Sequence, residues 1–380
     1  MTVVIFIIGL ILFVLLVVVH ELGHAIVAHR NGVVVEEFGI GFPPRLWKRV
    51  LKKSKTVFSL NALPIGGFVR LKGEHDNDKG PGTYGGSSFF VKAKILLAGV
   101  AVNWITAAVI FTVLALTGIP QLVGNQFTVK SDTKVINNVI LVSDITSHSP
   151  AAKSGLKVGD QLLKVGSASV TSTDQLVALT HRDAGKKVDI VYSRSDTIHT
   201  TTATLNKIDK DNQGYLGVVP LSHVIQRSTW SAPIVGVGLT AQLTKLTLQG
   251  LWDVLDNLGT GLFQSLSPNA HQRATARTRI SDAGQNVAGP VGIVVLLKDV
   301  SSQGVSLMLY LIAVISLTLA VMNVLPIPAL DGGRLFVMLL YRLRRKRLTE
   351  EVEERIQGYA FAVLMGLIVL LTVVDVRHFL

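Results

Sequence analysis

A chain of 380 residues with 49% hydrophobic and only 16% charged side chains, and a mean hydropathy of +0.47, lies on the apolar side of soluble proteins and is read as a membrane protein with a soluble part. Its formal charge of +12 does not point to nucleic acid, because the basic residues cluster beside apolar segments instead of lining one amphipathic face. The absence of cysteine excludes disulfides, thiolate metal ligands and a cysteine nucleophile.

Residues 1–30 open with an unbroken apolar run over 3–19, and His20-Glu21-Leu22-Gly23-His24 stands at its tail. Crossing a bilayer takes about 20 apolar residues, so a metal-ligand motif is carried inside a spanning helix. Residues four apart share a helix face, which points both imidazoles at one cation and sets Glu21 beside that cation's open position. Ionisable groups are costly in hydrocarbon, and at such depth they read as functional. A cleaved signal peptide is the plainer alternative. It is disfavoured because Met1-Thr2 offers no positive flank and the polar motif stands where a cleavage site should lie.

Residues 31–92 form a loop, and between residues 30 and 94 the chain holds twelve basic and five acidic side chains. Within it, apolar and polar residues alternate over 56–69 around Leu63-Pro64-Ile65-Gly66-Gly67. This predicts a strand pair or bent ribbon over about 56–72, with Pro64 and the glycines suited to an edge. An ordinary surface hairpin is the plainer reading. Residues 73–88, rich in Gly, Asp and Ser, predict a mobile loop. A second span follows over 93–119.

Residues 127–220 read as a small mixed domain. Ser149 begins a short helix ended by Gly155, Gly159-Asp160 makes a turn, and a strand (161–165), a helix (173–180) and two strands (187–193, 200–205) follow. The pattern resembles a PDZ domain in the permuted arrangement common in bacterial proteases, which implies a peptide end or strand bound by edge addition. A structural spacer is the competing reading. In the segment 221–288, helical spacing over 230–262 interrupted by Lys245, Asp253 and Asp256 predicts an amphipathic helix on the outer surface in preference to a fifth span. Residues 267–285 are polar, basic and weakly patterned, and are expected to be disordered.

Residues 289–340 carry Gly289-Pro290-Val291-Gly292-Ile293 and then a third span, broken by Pro326 and Pro328, which remove backbone donors. Irregular backbone at that depth survives only when buried in protein or lining a wet cavity. Residues 341–356 add five basic side chains in the six positions from Arg342 to Arg347, and a fourth span occupies 357–378. Lys and Arg are retained on the cytoplasmic side of short loops, so both basic loops should face the cytoplasm, leaving the termini and the PDZ-like domain outside. The expected fold is a polytopic α-helical membrane protein with about four transmembrane helices, a membrane-associated β-hairpin and an extracytoplasmic PDZ-like α+β domain.

Catalytic zinc takes three protein ligands and keeps one position open. Metzincins place the third ligand six residues after the second histidine, but Arg30 stands there. His29 turns away on the helix, and Glu36 and Glu37 lie beyond Gly32. Asp331, in Asn323-Val324-Leu325-Pro326-Ile327-Pro328-Ala329-Leu330-Asp331-Gly332-Gly333, sits at the broken span, where irregular backbone can bend a carboxylate inward. Depth agrees, since about 18 residues of inward helix precede His20 and about 21 precede Pro326, roughly 27 to 31 Å from the outer surface.

The combined pattern resembles the site-2 protease family of intramembrane zinc metalloproteases, in its bacterial PDZ-containing branch of the regulator of sigma-E protease type. The resemblance implies that His20, His24 and Asp331 bind Zn2+ and that Glu21 is the catalytic acid/base. It further implies that the ribbon around Gly66, Gly67 and Phe68 pairs with an unwound substrate, and that Asn323, Pro326 and Pro328 handle it. The implied substrates are transmembrane segments of single-span proteins, such as anti-sigma factors or signal-peptide remnants, at the bacterial inner membrane, with the lipid bilayer as surroundings and no nucleic acid. The chain departs from the pattern in having one evident PDZ-like segment, where some relatives carry two, and in residues 267–285, which look like an insertion. A catalytically silent membrane PDZ adaptor would have no need of Glu21, and a zinc transporter would want paired metal sites through the bilayer.

Overall fold

A computed structural model describes residues 2–52, 54–74, 79–194, 197–208, 214–267, 269–285, 289–301 and 303–379. In chain order the elements are α1 (Thr2–Arg30), β1 (Val35–Val50), β2 (Val57–Leu71), α2 (Phe89–Thr117), β3 (Ile119–Pro120), β4 (Lys134–Ile145), α3 (Pro150–Lys153), β5 (Gln161–Val165), β6 (Ala168–Ser169) and α4 (Thr173–Arg182). Then come β7 (Lys187–Arg194), β8 (Thr197–Thr204), β9 (Val218–Arg227), α5 (Ala232–Ser265), α6 (Ala270–Gln285), α7 (Pro290–Ser301), α8 (Val305–Val324), α9 (Asp331–Leu343) and α10 (Glu350–Phe379). They divide into two compact units, Met1–Val113 with Pro233–Leu380, and Leu114–Ala232.

Among the described residues, four helices are long and apolar enough to cross a membrane: Val3–Arg30 of α1, α2, α8, and Glu350–Val376 of α10. The run Val17-Val18-Val19 would favour a strand in water. In lipid a lone strand leaves its amides unsatisfied, so the helix wins. Glycines let these helices approach closely. A Cβ at Gly9 of α1 would lie 2.6 Å from the Met308 sulfur on α8, and one at Gly23 would lie 2.9 Å from the Ala98 carbonyl on α2. Ile5, Leu16, Leu297, Met308 and Ile312 form the buried cluster between α1, α7 and α8. The Gly289-Pro290 motif starts α7, whose Gly292 amide donates to the buried Asp375 carboxylate of α10 at 2.7 Å. An anion there offsets the orphan donors and the dipole of a helix N-terminus.

β1 and β2 form a two-stranded sheet, not a hairpin confined to 56–72. Each strand bends back, so residues 37–40 face two partners: Glu37 lies opposite Arg70 and Val57, and Ile40 opposite Gly67 and Leu60. Residues 45–50 pair with 57–61 on the far side, from Arg45 opposite Asn61 to Val50 opposite Val57. The partner strand escapes an alternation rule because Glu36-Glu37 and Pro43-Pro44 break its pattern, while the Glu37 charge is paired in place with Arg45 at 2.6 Å and its carboxylate accepts from the Ser59 hydroxyl at 2.7 Å. Leu46, Trp47, Val50 and Leu51 remain exposed on this ribbon. Of the expected mobile loop over 73–88, residues 75–78 lie outside the described residues. The remainder is anchored by Tyr84, buried at 1% exposure against Ala28, Val33 and Ile95.

Residues expected to be disordered instead form α6, Ala270–Gln285. Its alanines, glutamines and arginines are strong helix formers even where no apolar stripe marks the period. The α5 helix is not among the candidate spans.

In the Leu114–Ala232 unit, the strands run β3-β9-β4-β5-β7-β8, with β6 paired to β5. β4 and β9 pair antiparallel from Lys134 opposite Arg227 to Ile145 opposite Val218. Ile140, Leu162, Val165 and Ile190 fill the core beneath Leu176 of α4. Asp160, predicted as a turn residue, is buried and held by Arg194 through two 2.7 Å bonds. The Ser231 and Thr229 side chains hold the Asp132 carboxyl well below the usual carboxylate range.

Candidate metal centre

His20 and His24 lie one turn apart on α1 and are both buried at 8% exposure. Asp331 opens α9, immediately after the break from Leu325 to Leu330 that ends α8. The break is tight. A Cβ at Gly332 would collide with the Val324 carbonyl, and one at Gly333 with the Ile327 carbonyl, so this Asp-Gly-Gly is required by close backbone approach.

Three candidate ligand atoms meet. His20 Nε2 and His24 Nε2 are 3.1 and 3.3 Å from Asp331 Oδ2 and 3.2 Å from each other. His24 Nδ1 donates to the Ile95 carbonyl at 2.7 Å, which leaves its Nε2 as a lone pair facing the cluster. Asp331 Oδ2 is buried without a hydrogen-bond donor. Converging lone pairs repel unless a cation sits among them. Metal bonds of about 2.0 to 2.1 Å in a tetrahedron give ligand edges of about 3.3 to 3.4 Å, close to the spacing seen, so the N, N, O set fits zinc. It is the one group of three or more such side chains that could hold a metal among the described residues.

The other expected residues sort by place. Glu21 is half-buried beside His20, and Gly67 of β2 covers it: a Cβ there would fall 3.3 Å from Glu21 Cγ. Gly66 and Phe68 flank that contact, and the Phe68 ring lies over Gly39. Asn323 is half-buried on the last turn of α8, with Pro326 exposed and Pro328 half-buried in the break. His29, Arg30 and Glu36 are exposed, while Glu37 is bound by Arg45; none of them joins the cluster.

Sequence reasoning missed two supports. A Cβ at Gly99 of α2 would lie 2.5 Å from His24 Nε2 and 2.6 Å from His20 Cε1, so only glycine lets α2 close over both imidazoles. A small residue inside an apolar span was the available signal. Arg334, one turn beyond Asp331, pairs with buried Glu353 of α10 at 3.0 Å, stands over the Tyr84 ring at 5.0 Å, and donates to the Glu74 carbonyl.

The family profile described as Peptidase family M50 matches residues 8–367. The chain belongs to this family. It is 29% identical over 368 residues to a putative zinc metalloprotease of Clostridium perfringens, covering 97% of each chain. With the regulator of sigma-W protease RasP of Bacillus subtilis it shares 25% identity over 451 residues, covering 97% of each. A solved PDZ domain of an SdrC-like protein from Listeria monocytogenes aligns with 23% of this chain and 93% of that domain at 24% identity and a TM-score of 0.21. The M50 chain is thus a zinc metalloprotease of the site-2 protease family, located in a membrane.

Proposed function

We propose that this metalloprotease hydrolyses peptide bonds within transmembrane segments of single-span proteins, such as anti-sigma factors, at the bacterial inner membrane. The observation that carries the reading is that His20, Glu21 and His24 lie on a helix long and apolar enough to cross a membrane, with Asp331 brought to them just beyond the end of another such helix. A protease for soluble substrates has no reason to bury these groups in hydrocarbon.

In this reading His20, His24 and Asp331 hold the zinc. Zinc supplies Lewis acidity, acidifying water to a pKa of about 7 and polarising a carbonyl. Glu21 takes the proton of the attacking water and delivers it to the leaving amide nitrogen. A helical substrate hides its scissile bond in its own hydrogen-bond ladder and must unwind. Residues 67–71 are paired to 35–40 and, among the described residues, on one side only, and this outer edge passes over Glu21 at Gly67. Edge pairing there would replace the hydrogen bonds lost on unwinding, with Phe68, Asn323, Pro326 and Pro328 lining the approach. The charge bias of the loops supports an outer position for the PDZ-like unit, where it would filter substrates whose external domain has been trimmed.

The test is cleavage of a single-span substrate by purified protein in detergent, at equal zinc content for parent and Glu21→Gln. A loss of several orders of magnitude with zinc retained is expected; equal cleavage would reject the mechanism. Asp331→Ala should lower zinc affinity by about 10-fold or more, read by competition with a chelating dye, and undiminished affinity would move the third ligand elsewhere.

A further inference from the structure

We propose that the cavity between the start of α2 and the end of α9 is a headgroup site for an anionic phospholipid. Its volume is about 400 Å³, within the range of small-molecule sites. Lys79, Lys92, Arg342, Lys346 and Arg347 line it, and among the described residues no carboxylate does. Among the described residues, no ion pair joins Lys79, Arg342, Lys346 or Arg347 to an acid. Arg342 stands over the Phe89 ring at 5.0 Å and Lys92 over the Tyr84 ring at 5.6 Å, so both cations are oriented by aromatic faces.

Two plainer explanations account for part of this. Retention of basic residues on one side of the membrane explains why Lys and Arg abound in these loops, and the dipole of α9 favours cations at its C-terminus. Neither requires Lys79 and Lys92, from a segment more than 240 positions away, to converge on the same cavity as Arg342 and Arg347. Lys79, Arg342, Lys346 and Arg347, gathered in this way, repel until an anion enters. The positive end of the α2 dipole, at Phe89, adds to the same field, and Ser87 and Ser88 offer hydroxyls beside it.

The surroundings select a lipid over a free anion. Phe89, Met338 and Leu348 give the cavity an apolar wall. Phe90 and Leu343, next in sequence to Phe89 and Arg342, are each 72% exposed. Apolar side chains left bare beside a cation cluster at the end of a spanning helix suit acyl chains entering below a phosphate. Basic pockets between membrane helices take anionic headgroups by this combination. The bound lipid would brace α9, whose first residue is Asp331.

The experiment uses the full-length protein in phosphatidylcholine nanodiscs doped with spin-labelled phosphatidylglycerol or spin-labelled phosphatidylcholine, reading the motionally restricted fraction by electron paramagnetic resonance. Phosphatidylglycerol should be restricted several-fold more than phosphatidylcholine. The exchange of exposed Arg342, Arg347 and Lys346 to Gln should bring that ratio close to unity, while Lys48→Gln, Arg49→Gln and Lys52→Gln together, an equal loss of charge elsewhere, should leave it unchanged. Lys346→Gln alone should lower the ratio part-way, and serves if the triple variant does not fold. Equal restriction of the two lipids, an equal effect of the control triple, or displacement of the labelled lipid by tens of millimolar inorganic phosphate would each overturn the proposal.

Discussion

Ala329 holds a backbone φ of +89°, two residues before Asp331. A side chain with a Cβ rarely adopts that region, and holding it there costs about 1 to 3 kcal/mol. The turn around it is fixed by bonds from the Leu330 amide to the Ile327 carbonyl at 3.0 Å and from the Ile327 amide to the Leu325 carbonyl at 2.8 Å. Ala329→Gly should therefore be as stable as the parent or up to about 1 kcal/mol more stable, after the entropy of the freed unfolded chain is subtracted. Ala329→Val should be about 2 kcal/mol less stable, because branching at Cβ is least tolerated there. Thermal unfolding in detergent checks the pair, and a valine variant as stable as the glycine variant would remove the strain argument. At this scale the three side chains that meet, His20, His24 and Asp331, were nameable from sequence because their signals are local. His20 and His24 follow helical periodicity, and the prolines beside Asp331 mark the broken helix that carries it. Gly99 was not nameable, because its role exists only once α2 closes on α1. The glycines after Asp331 read as a turn, yet they serve backbone contact with Val324 and Ile327.

The short helix α9 carries Asp331 at its start, and Arg334 ties it to α10. The Arg334 guanidinium reaches Glu353 of α10, which is only 4% exposed along its side chain, and Gln357 also donates to that carboxylate, at 3.3 Å. Removing one partner of a buried pair costs about 3 to 5 kcal/mol where the other keeps no hydrogen bond, and less here, where Gln357 still donates to Glu353. Arg334→Met should lower thermal stability accordingly and weaken zinc binding, since α9 is then free to rotate Asp331 out of the cluster. The double exchange Arg334→Met with Glu353→Gln should recover most of the stability, because the buried charge is gone. Zinc affinity unchanged in the single variant would show that α9 is held by other contacts. Elements were legible where hydrophobic runs exceed a bilayer's width and where turns punctuate short strands, as from Gln161 to Val165. The ribbon's first strand was missed because Glu37 is buried with its charge paired, a compensation that alternation rules do not see. The α6 helix was missed because a helix rich in Ala, Arg and Gln can form on propensity with no apolar face to reveal it.

At the scale of the whole molecule, what sequence offers is sidedness. Two loops rich in Lys and Arg flank the spans, and positive charge is retained in the cytoplasm, so the PDZ-like unit should face the opposite side. The chain's lack of cysteine makes this directly measurable, because any introduced thiol is the sole target of a maleimide. Lys153 and Arg344 are both exposed, the first in the Leu114–Ala232 unit and the second at the C-terminal end of α9. A membrane-impermeant maleimide applied to intact spheroplasts should label Lys153→Cys and spare Arg344→Cys, and lysis should make both reactive. Each variant should retain substrate cleavage, which ensures that the labelled molecules are folded. The opposite pattern would put the PDZ-like unit in the cytoplasm, where it could not screen substrates for loss of an external domain. Zinc hydrolysis at His20, His24 and Asp331 could stand in that event, but the order of cleavages would have to be imposed elsewhere, and the ribbon edge above Glu21 would become the first element to meet a substrate.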